Sequence, residues 1–420
     1  MRRTVLVALL LIAAAAVPAV TPAASAATSS LRYNTFERPE RGTAYTLGAW
    51  AQDGWTAPWE QGMSTRTWID GYNFSHTGGK SLRVFYPKGK IGPADSGAQA
   101  PLQLTRGREY YLSYWVRFSS DFSWGTTEFA GKVGLGLAGG GSCSGGQVCD
   151  GTNGFSSRMI WRSGGKAAIY YYHMGHAGQY GDFVDLTRPD GSLIYYPRGQ
   201  WVNLVQRLRV NTVTAGSANA DGEIDIWYNG VQAASIRGLR FVTNADQVDK
   251  AYFSSFAGGA TASFAPANDS WIWYDDLKVS NARGDICELS GGCHTRTFQA
   301  EAYTLMNGVT TAATSDTGGG QATAFDTGDW IAFGNVNVPK PARYLVEYRI
   351  ATAASNARLS LDINAGATPL GEVTLPNTGG TTQWRTVSRE VEVPAGTHQF
   401  GLYASTGGFS VNWWKLTQIA

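Results

Sequence analysis

Phe155-Ser-Ser-Arg-Met-Ile-Trp161, then Arg162-Ser-Gly-Gly-Lys166, then Ala167-Ala-Ile-Tyr-Tyr-Tyr-His173: two runs rich in aromatic and β-branched residues flank a glycine-rich break. That is the pattern of a β-hairpin. Side chains alternate across a strand, so Ser156 and Arg158 share one face of the first run and Tyr170 and Tyr172 one face of the second. The loop decides whether the four meet. A two-residue loop at Gly164-Gly165 sets Arg158 opposite Tyr171, whereas a three-residue loop from Ser163 to Gly165 sets Arg158 opposite Tyr170 and Ser156 opposite Tyr172. A one-residue slip exchanges the faces, and the pattern alone allows both.

Arg2 and Arg3 precede an apolar run from Val5 to about Val20, and Ala24-Ser25-Ala26 fits a small-residue cleavage site. Residues 1–26 therefore read as an export signal, and the protein as secreted. No later stretch is apolar enough to span a bilayer. A net charge of +2 gives no case for nucleic acid or an acidic membrane. The 52 glycines and 20 tyrosines, with few long helical patterns, favour an all-β chain. Four cysteines fall into two local pairs, Cys143/Cys149 and Cys287/Cys293, which in an exported protein read as disulfides. Zinc is the rival reading, but the two pairs lie too far apart in sequence for the close ligand spacing of a zinc ribbon.

Residues 27–280 read as one β-rich domain. Leu82 to Tyr86, Tyr111 to Phe118, Trp201 to Val210 and Trp271 to Val279 alternate, and Asn229-Gly230 after Tyr228 is a hairpin turn. Many short strands between turn residues suggest a jelly-roll β-sandwich of two antiparallel sheets. Residues 281–296 form a polar link holding Cys287 and Cys293, and 297–420 a second, smaller strand-rich unit.

An arginine, a serine and two phenols on one face suit the splitting of a polyuronate by β-elimination. A cation must neutralise the carboxylate, a base must take the adjacent proton, and an acid must protonate the leaving oxygen. Arginine pairs with a carboxylate in two places, and Lys132, in an apolar glycine-rich strand, is a second cation. The bland reading is a polar face that only binds sugar. Glu223 and Asp225 share a strand face and are the rival acid/base pair, that of a glycoside hydrolase. His176, in a glycine-rich loop, is placed to reach over a groove, and His173 falls on the other face from Tyr172.

Residues 80–280 resemble polysaccharide lyase family 14, a group of alginate and glucuronan lyases. The supporting blocks are Ser81-Leu-Arg-Val84 with Tyr86-Pro-Lys-Gly89, Ser113-Tyr-Trp-Val-Arg-Phe118, Gly131-Lys132, Ser156-x-Arg158, Tyr170-x-Tyr172 and Tyr180-Gly-Asp182. The resemblance implies a groove across a β-sheet, lined by Lys132, Ser156, Arg158, Tyr170 and Tyr172, and favours the three-residue loop. It implies Tyr172 as base or acid, Arg158 and Lys132 on the carboxylate, and Ser156 and Tyr170 positioning the sugar. Arg83, Lys88 and His176 are the further substrate-binding candidates. No cofactor is expected for catalysis, and the protein is expected to act as a monomer.

The second unit resembles a family 6 carbohydrate-binding module. Gln299-Ala-Glu-Ala-Tyr303, Gly328-Asp-Trp-Ile-Ala-Phe333, Pro394-Ala-Gly-Thr-His398 and Asn412-Trp-Trp414 carry the likeness. Such modules stack sugars on exposed aromatic rings. Here Ala324-Phe325 and Gly379-Gly-Thr381 depart from the usual aromatic positions, so the candidates become Phe325, Trp384 and Trp413, with Asn412 as a polar contact. Trp330 and Trp414 read more readily as core. Gln299 and Glu301 fall where the family often holds a structural calcium. Alternation sets both on one strand face, and a surface polar pair reads the same way.

Overall fold

A computed structural model describes residues 31–71, 74–76, 79–125, 129–290, 292–338 and 341–419, so the export signal read at residues 1–26 lies outside the described residues. The strands before residue 281 are, in order, β1 (Arg32–Asn34), β2 (Thr67–Asp70), β3 (Ser81–Tyr86), β4 (Ala98–Gly107), β5 (Glu109–Phe118), β6 (Phe129–Gly139), β7 (Phe155–Arg162) and β8 (Lys166–Tyr172). They continue with β9 (Asp182–Asp185), β10 (Trp201–Arg209), a small hairpin of β11 (Val213–Thr214) and β12 (Ser217–Ala218), β13 (Gly222–Tyr228), β14 (Val231–Leu239), β15 (Val248–Ala257) and β16 (Ser270–Ser280). One sheet runs β14-β13-β10-β5-β16-β3-β2, with β1 on β16. The other runs β4-β15-β6-β7-β8-β9.

Alternation places each sheet's apolar face. Leu82, Val84, Leu112, Tyr114, Val116, Val202, Leu204, Ile272 and Tyr274 point inward from the first sheet; Leu135, Leu137, Met159, Trp161 and Ile169 point inward from the second. Trp161 is 1% exposed, donates from Nε1 to the Trp124 carbonyl at 3.1 Å, and packs edge-on to Tyr86 and Phe122. Trp161→Ala would leave a cavity costing roughly 3–5 kcal/mol. The Asn229-Gly230 turn joins β13 to β14 with positive φ at both residues, as its sequence requires.

Both cysteine pairs are disulfides. The Cys287–Cys293 loop is tied to β16 by Lys278, whose Nζ lies 2.7 Å from Glu288 Oε1 and 3.2 Å from Cys287 Sγ. A second core gathers residues from Phe298 to Leu416. It lies between a sheet centred on Phe409–Gln418 and Ala342–Thr352 and one centred on Phe400–Thr406 and Arg358–Ile363. The chain is thus all-β, a jelly-roll sandwich followed by a smaller sandwich. Among the described residues no helix is long and apolar enough to cross a membrane.

Candidate active site

β7 and β8 are joined by the three-residue turn Ser163–Gly165, in which Gly164 and Gly165 have φ of 71° and 87°. The flanking pair Arg162↔Lys166 carries the register to Arg158↔Tyr170 and Ser156↔Tyr172. Of the two loops the sequence allows, this one gathers all four residues on the outer face of the second sheet. β6 adds the lysine through a bulge. Between Lys132↔Ile160 and Gly136↔Arg158 it takes four steps against two on β7. Gly134 turns the bulge with φ 66°, where a Cβ would lie 2.7 Å from the Tyr114 ring.

Lys132 Nζ stands 5.5 Å from the Tyr170 ring centroid and 5.6 Å from that of Phe256. The Arg158 guanidinium carbon lies 4.9 Å from the ring centroid of Tyr252. Among the described residues no carboxylate pairs with either cation. Burial, and then the charge of Arg158, lower the Lys132 ammonium from 10.5 to about 8. The Tyr170 and Tyr172 hydroxyls are 2.9 Å apart. Burial, and next the hydrogen bond to Tyr172, raise Tyr170 well above the usual phenol value, while the Gly181 N–H and the Arg158 charge pull it back.

Tyr172 is buried beneath the Cys143–Cys149 loop, whose Gly146 N–H donates to its oxygen at 2.9 Å. Ser156 Oγ donates to the Cys143 carbonyl at 2.7 Å, so this buried hydroxyl anchors the same loop. His176 stands edge-on to Tyr172 at 5.4 Å, with both ring nitrogens buried and unpartnered. His173 pairs instead with Asp182 at 2.8 Å. Sequence reasoning missed the disulfide loop's part in the site, and missed Tyr252. The tyrosine's only sequence signal is its outward position on a strand whose neighbour, β6, is distant along the chain.

Three expectations need correction. Arg83 is not beside the Lys132–Tyr172 cluster: Leu82 and Val84 face the core from the first sheet, so Arg83 points out of the opposite side of the sandwich. Lys88 follows on that sheet in an exposed turn bound to Asp269 and, through Gly89, to Pro266. Glu223 and Asp225 are not an acid/base pair awaiting substrate. Arg207 Nη1 sits 2.6 Å from Glu223 and 2.8 Å from Asp225, and Arg237 takes the other Asp225 oxygen at 2.6 Å.

In the second sandwich Phe325 is 1% exposed and stacks on Phe409 at 4.8 Å, so it is core, not a sugar platform. Asn412 is also fully buried. It falls at the register shift between Arg349↔Trp413 and Ile350↔Val411, and its amide holds Asp316 and the Thr317 carbonyl. Trp413 is half-buried beside Arg349 and Gln299, and Trp384 is half-buried with Nε1 on Ser315. Trp414 is core, stacked on Phe298 at 4.1 Å. Trp330 is half-buried beside Tyr403, 40% exposed, a pairing not foreseen.

Gln299 ends its strand and Glu301 lies in the turn Ala300–Ala302, so the two do not share a strand face. Both nevertheless reach one glycine loop. The Gln299 amide oxygen lies against Gly318 and the Glu301 carboxylate against Gly320, and Glu301 Oε2 is buried without a partner. An oxygen donor set with an orphaned carboxylate oxygen fits a hard cation.

The family model described as Polysaccharide lyase 14 matches residues 75–277, and that described as Carbohydrate binding module (family 6) matches residues 299–418. A mutant of alginate lyase Aly36B, solved in complex with alginate tetrasaccharide, is 29% identical and covers 60% of this chain and 98% of its own, with a TM-score of 0.50. The C-terminal family 6 module of LamC, from Zobellia galactanivorans, is 43% identical over 30% of this chain and 99% of its own, with a TM-score of 0.29. The clotting factor G alpha subunit of Tachypleus tridentatus is 38% identical over 127 residues. This chain spans 19% of the length of that curated relative.

Proposed function

We propose that this chain, a polysaccharide lyase that belongs to family 14 through residues 75–277 and carries a family 6 carbohydrate-binding module at residues 299–418, cleaves a uronate polymer of the alginate–glucuronan class in the Lys132–Tyr172 groove. One observation carries the reading: two cations without a carboxylate partner among the described residues stand beside a hydrogen-bonded pair of phenols. Lys132 and Arg158 neutralise the substrate carboxylate and so acidify the neighbouring C5–H. Through its internal hydrogen bond the phenol pair gives a hydroxyl proton to the departing oxygen as it takes the C5 proton, so the C–H electrons form the C4=C5 bond, the C4–O bond breaks, and the pair ends with the protons it began with. Tyr172 is held from behind by Gly146, and the half-exposed Tyr170 meets the sugar. Ser156 acts through the loop it anchors, and His176 closes the groove beside Tyr172.

The module keeps the enzyme on glycan and raises its local concentration there. Trp413, Trp384 and the Trp330–Tyr403 pair are its remaining aromatic candidates. A calcium ion on Glu301 and Gln299 would brace the glycine loop. The protein acts outside the cell as a monomer, in keeping with its two disulfides.

Ultraviolet absorbance of the conjugated double bond, followed with alginate, glucuronan and a neutral β-glucan, tests the reading. A rise on a uronate and none on the glucan is expected. Reducing ends from the glucan without that absorbance would overturn it. Binding of a uronate without turnover would leave a lectin.

A further inference from the structure

Arg83 is excluded from the groove, yet its surroundings are not those of an ordinary exposed arginine. Five adjacent antiparallel strands align Trp68↔Arg83, Arg83↔Trp273, Trp273↔Arg117 and Arg117↔Trp201. The result is one straight row, Trp-Arg-Trp-Arg-Trp, on the side of the sandwich away from the groove. The Arg83 guanidinium sits 5.6 Å from the Trp68 ring centroid. Phe74 lies flat on Trp273, 4.5 Å away and 7° from parallel, and the Arg117 guanidinium is 5.2 Å from the Phe74 centroid. The aromatic surface is therefore continued outward over the centre of the row. Phe85 and Trp271, stacked at 5.4 Å, widen it at the Trp68 end.

We propose that this row is a second, non-catalytic binding face for the acidic polysaccharide, an inference that rests on the lyase reading for the identity of the polymer. The chemistry is complementary to a uronate chain in both of its parts. Ring faces stack on the apolar faces of pyranoses, and planar guanidinium groups between them pair with carboxylates. Strand spacing sets like groups two strands apart, about 9.5 Å, and spreads the row over about 19 Å. That span suits an oligosaccharide, not a single sugar. Asp70, two residues from Trp68 on the same strand face, lies beside the row at 9% exposure, 3.5 Å from Arg83 and accepting from Trp273 Nε1 at 2.9 Å. It fixes both side chains from the side while the Arg83 side chain stays 37% exposed. A row serving only to stabilise the sheet is the alternative.

The full-length chain, silenced with Tyr172→Phe, is run by affinity electrophoresis through gels containing the uronate polymer. Trp68→Ala and Arg83→Ala are each expected to weaken retention roughly five- to tenfold, and Arg83→Glu further. In the active background the same substitutions should leave kcat/KM within about twofold on a trisaccharide too short to span the face. Arg83→Ala, a truncation at a part-exposed side chain that adds no carboxylate beside Asp70, guards against misfolding of the tryptophan variant. Parent-like retention by a normally folded Arg83→Ala protein would overturn the proposal, as would equal losses on polymer and trisaccharide. Retention is read without turnover. A parent that releases no unsaturated product, yet loses retention on these substitutions, would sink the lyase reading and leave this face standing.

Discussion

Replacing Arg158 with glutamine should lower the rate and, at the same time, move the alkaline limb of the pH profile upward. The rate effect follows from the guanidinium's placement beside Tyr252, with no acidic partner among the described residues. A charged donor held ready for the substrate carboxylate is lost, at about 3–4 kcal/mol of transition-state stabilisation, so kcat/KM falls roughly 10²- to 10³-fold. The pH effect comes from Lys132, which burial first and the Arg158 charge second bring from 10.5 to about 8. The ammonium is the form that meets a carboxylate, so its contribution is present below about 8 and is lost above it. Glutamine removes only the smaller of the two causes. Less than half of the interval is recovered, and the midpoint rises by no more than about one pH unit. The assay is kcat/KM on the uronate polymer, by absorbance of the unsaturated product, from about pH 6 to about pH 10. An alkaline limb that stays put or moves down would refute the coupling. A loss smaller than about tenfold would refute the role of the guanidinium.

Lys132→Met should abolish activity yet stabilise the lyase sandwich. The folded value of about 8 against 10.5 means that the ammonium costs about 3 kcal/mol below pH 8, a cost that fades as pH rises toward 10.5. Denaturant titrations should therefore show the variant's advantage at pH 7 and not at pH 10, and an equal advantage at both would be wrong for this account. Cys143→Ser with Cys149→Ser frees the loop that holds Gly146 on Tyr172, so kcat should fall roughly ten- to a hundredfold and stability by about 2–3 kcal/mol. A variant that melts earlier but turns over at the parental rate below its transition would show that the loop only stabilises. Chelation with EDTA should lower the melting of the second sandwich, and added calcium should restore it. Glu301→Gln should be insensitive to both, and an unchanged melt of the parent in EDTA would remove the ion from the account.

Alternation made the faces legible, and it failed where a face had to be assigned to a particular sheet. Ser156/Arg158 and Tyr170/Tyr172 could be grouped from the sequence, because a hairpin's register depends on one turn and the glycines there limit the choices. Alternation with Leu82 and Val84 turns Arg83 outward from its strand, yet nothing local says which side of a sandwich that strand's outer face becomes. Tyr252 was invisible for a related reason: β15 lies next to β6 only through a pairing more than a hundred residues long. In the second sandwich the errors came from broken periodicity. A register shift buries Asn412, and a turn takes Glu301 off the strand that should have carried it. Phe325 falls beside the position where the family resemblance implies a stacking aromatic, and so reads as a platform, whereas it stacks on Phe409 inside the core.

The treatment of charge separates the two outer faces of the first sandwich more sharply than their residue types do. On the first sheet Arg207 is surrounded by Glu109, Glu223 and Asp225, and Arg83 has Asp70. These are compensated charges, such as a fold keeps when nothing else is asked of it or when a ligand needs only a shallow platform. On the second sheet Lys132 and Arg158 stand half-buried on one face, and the Arg158 charge disfavours that of Lys132. Two like charges taken from water without a counter-ion destabilise the native state, and a sequence selected for stability alone would place an acid between them or an apolar residue in their stead. The missing charge has the sign of a carboxylate. The substrate brings that group itself, so binding restores the missing counter-charge at the place where the proton must be loosened, and the cost carried by the empty groove becomes attraction for the uronate.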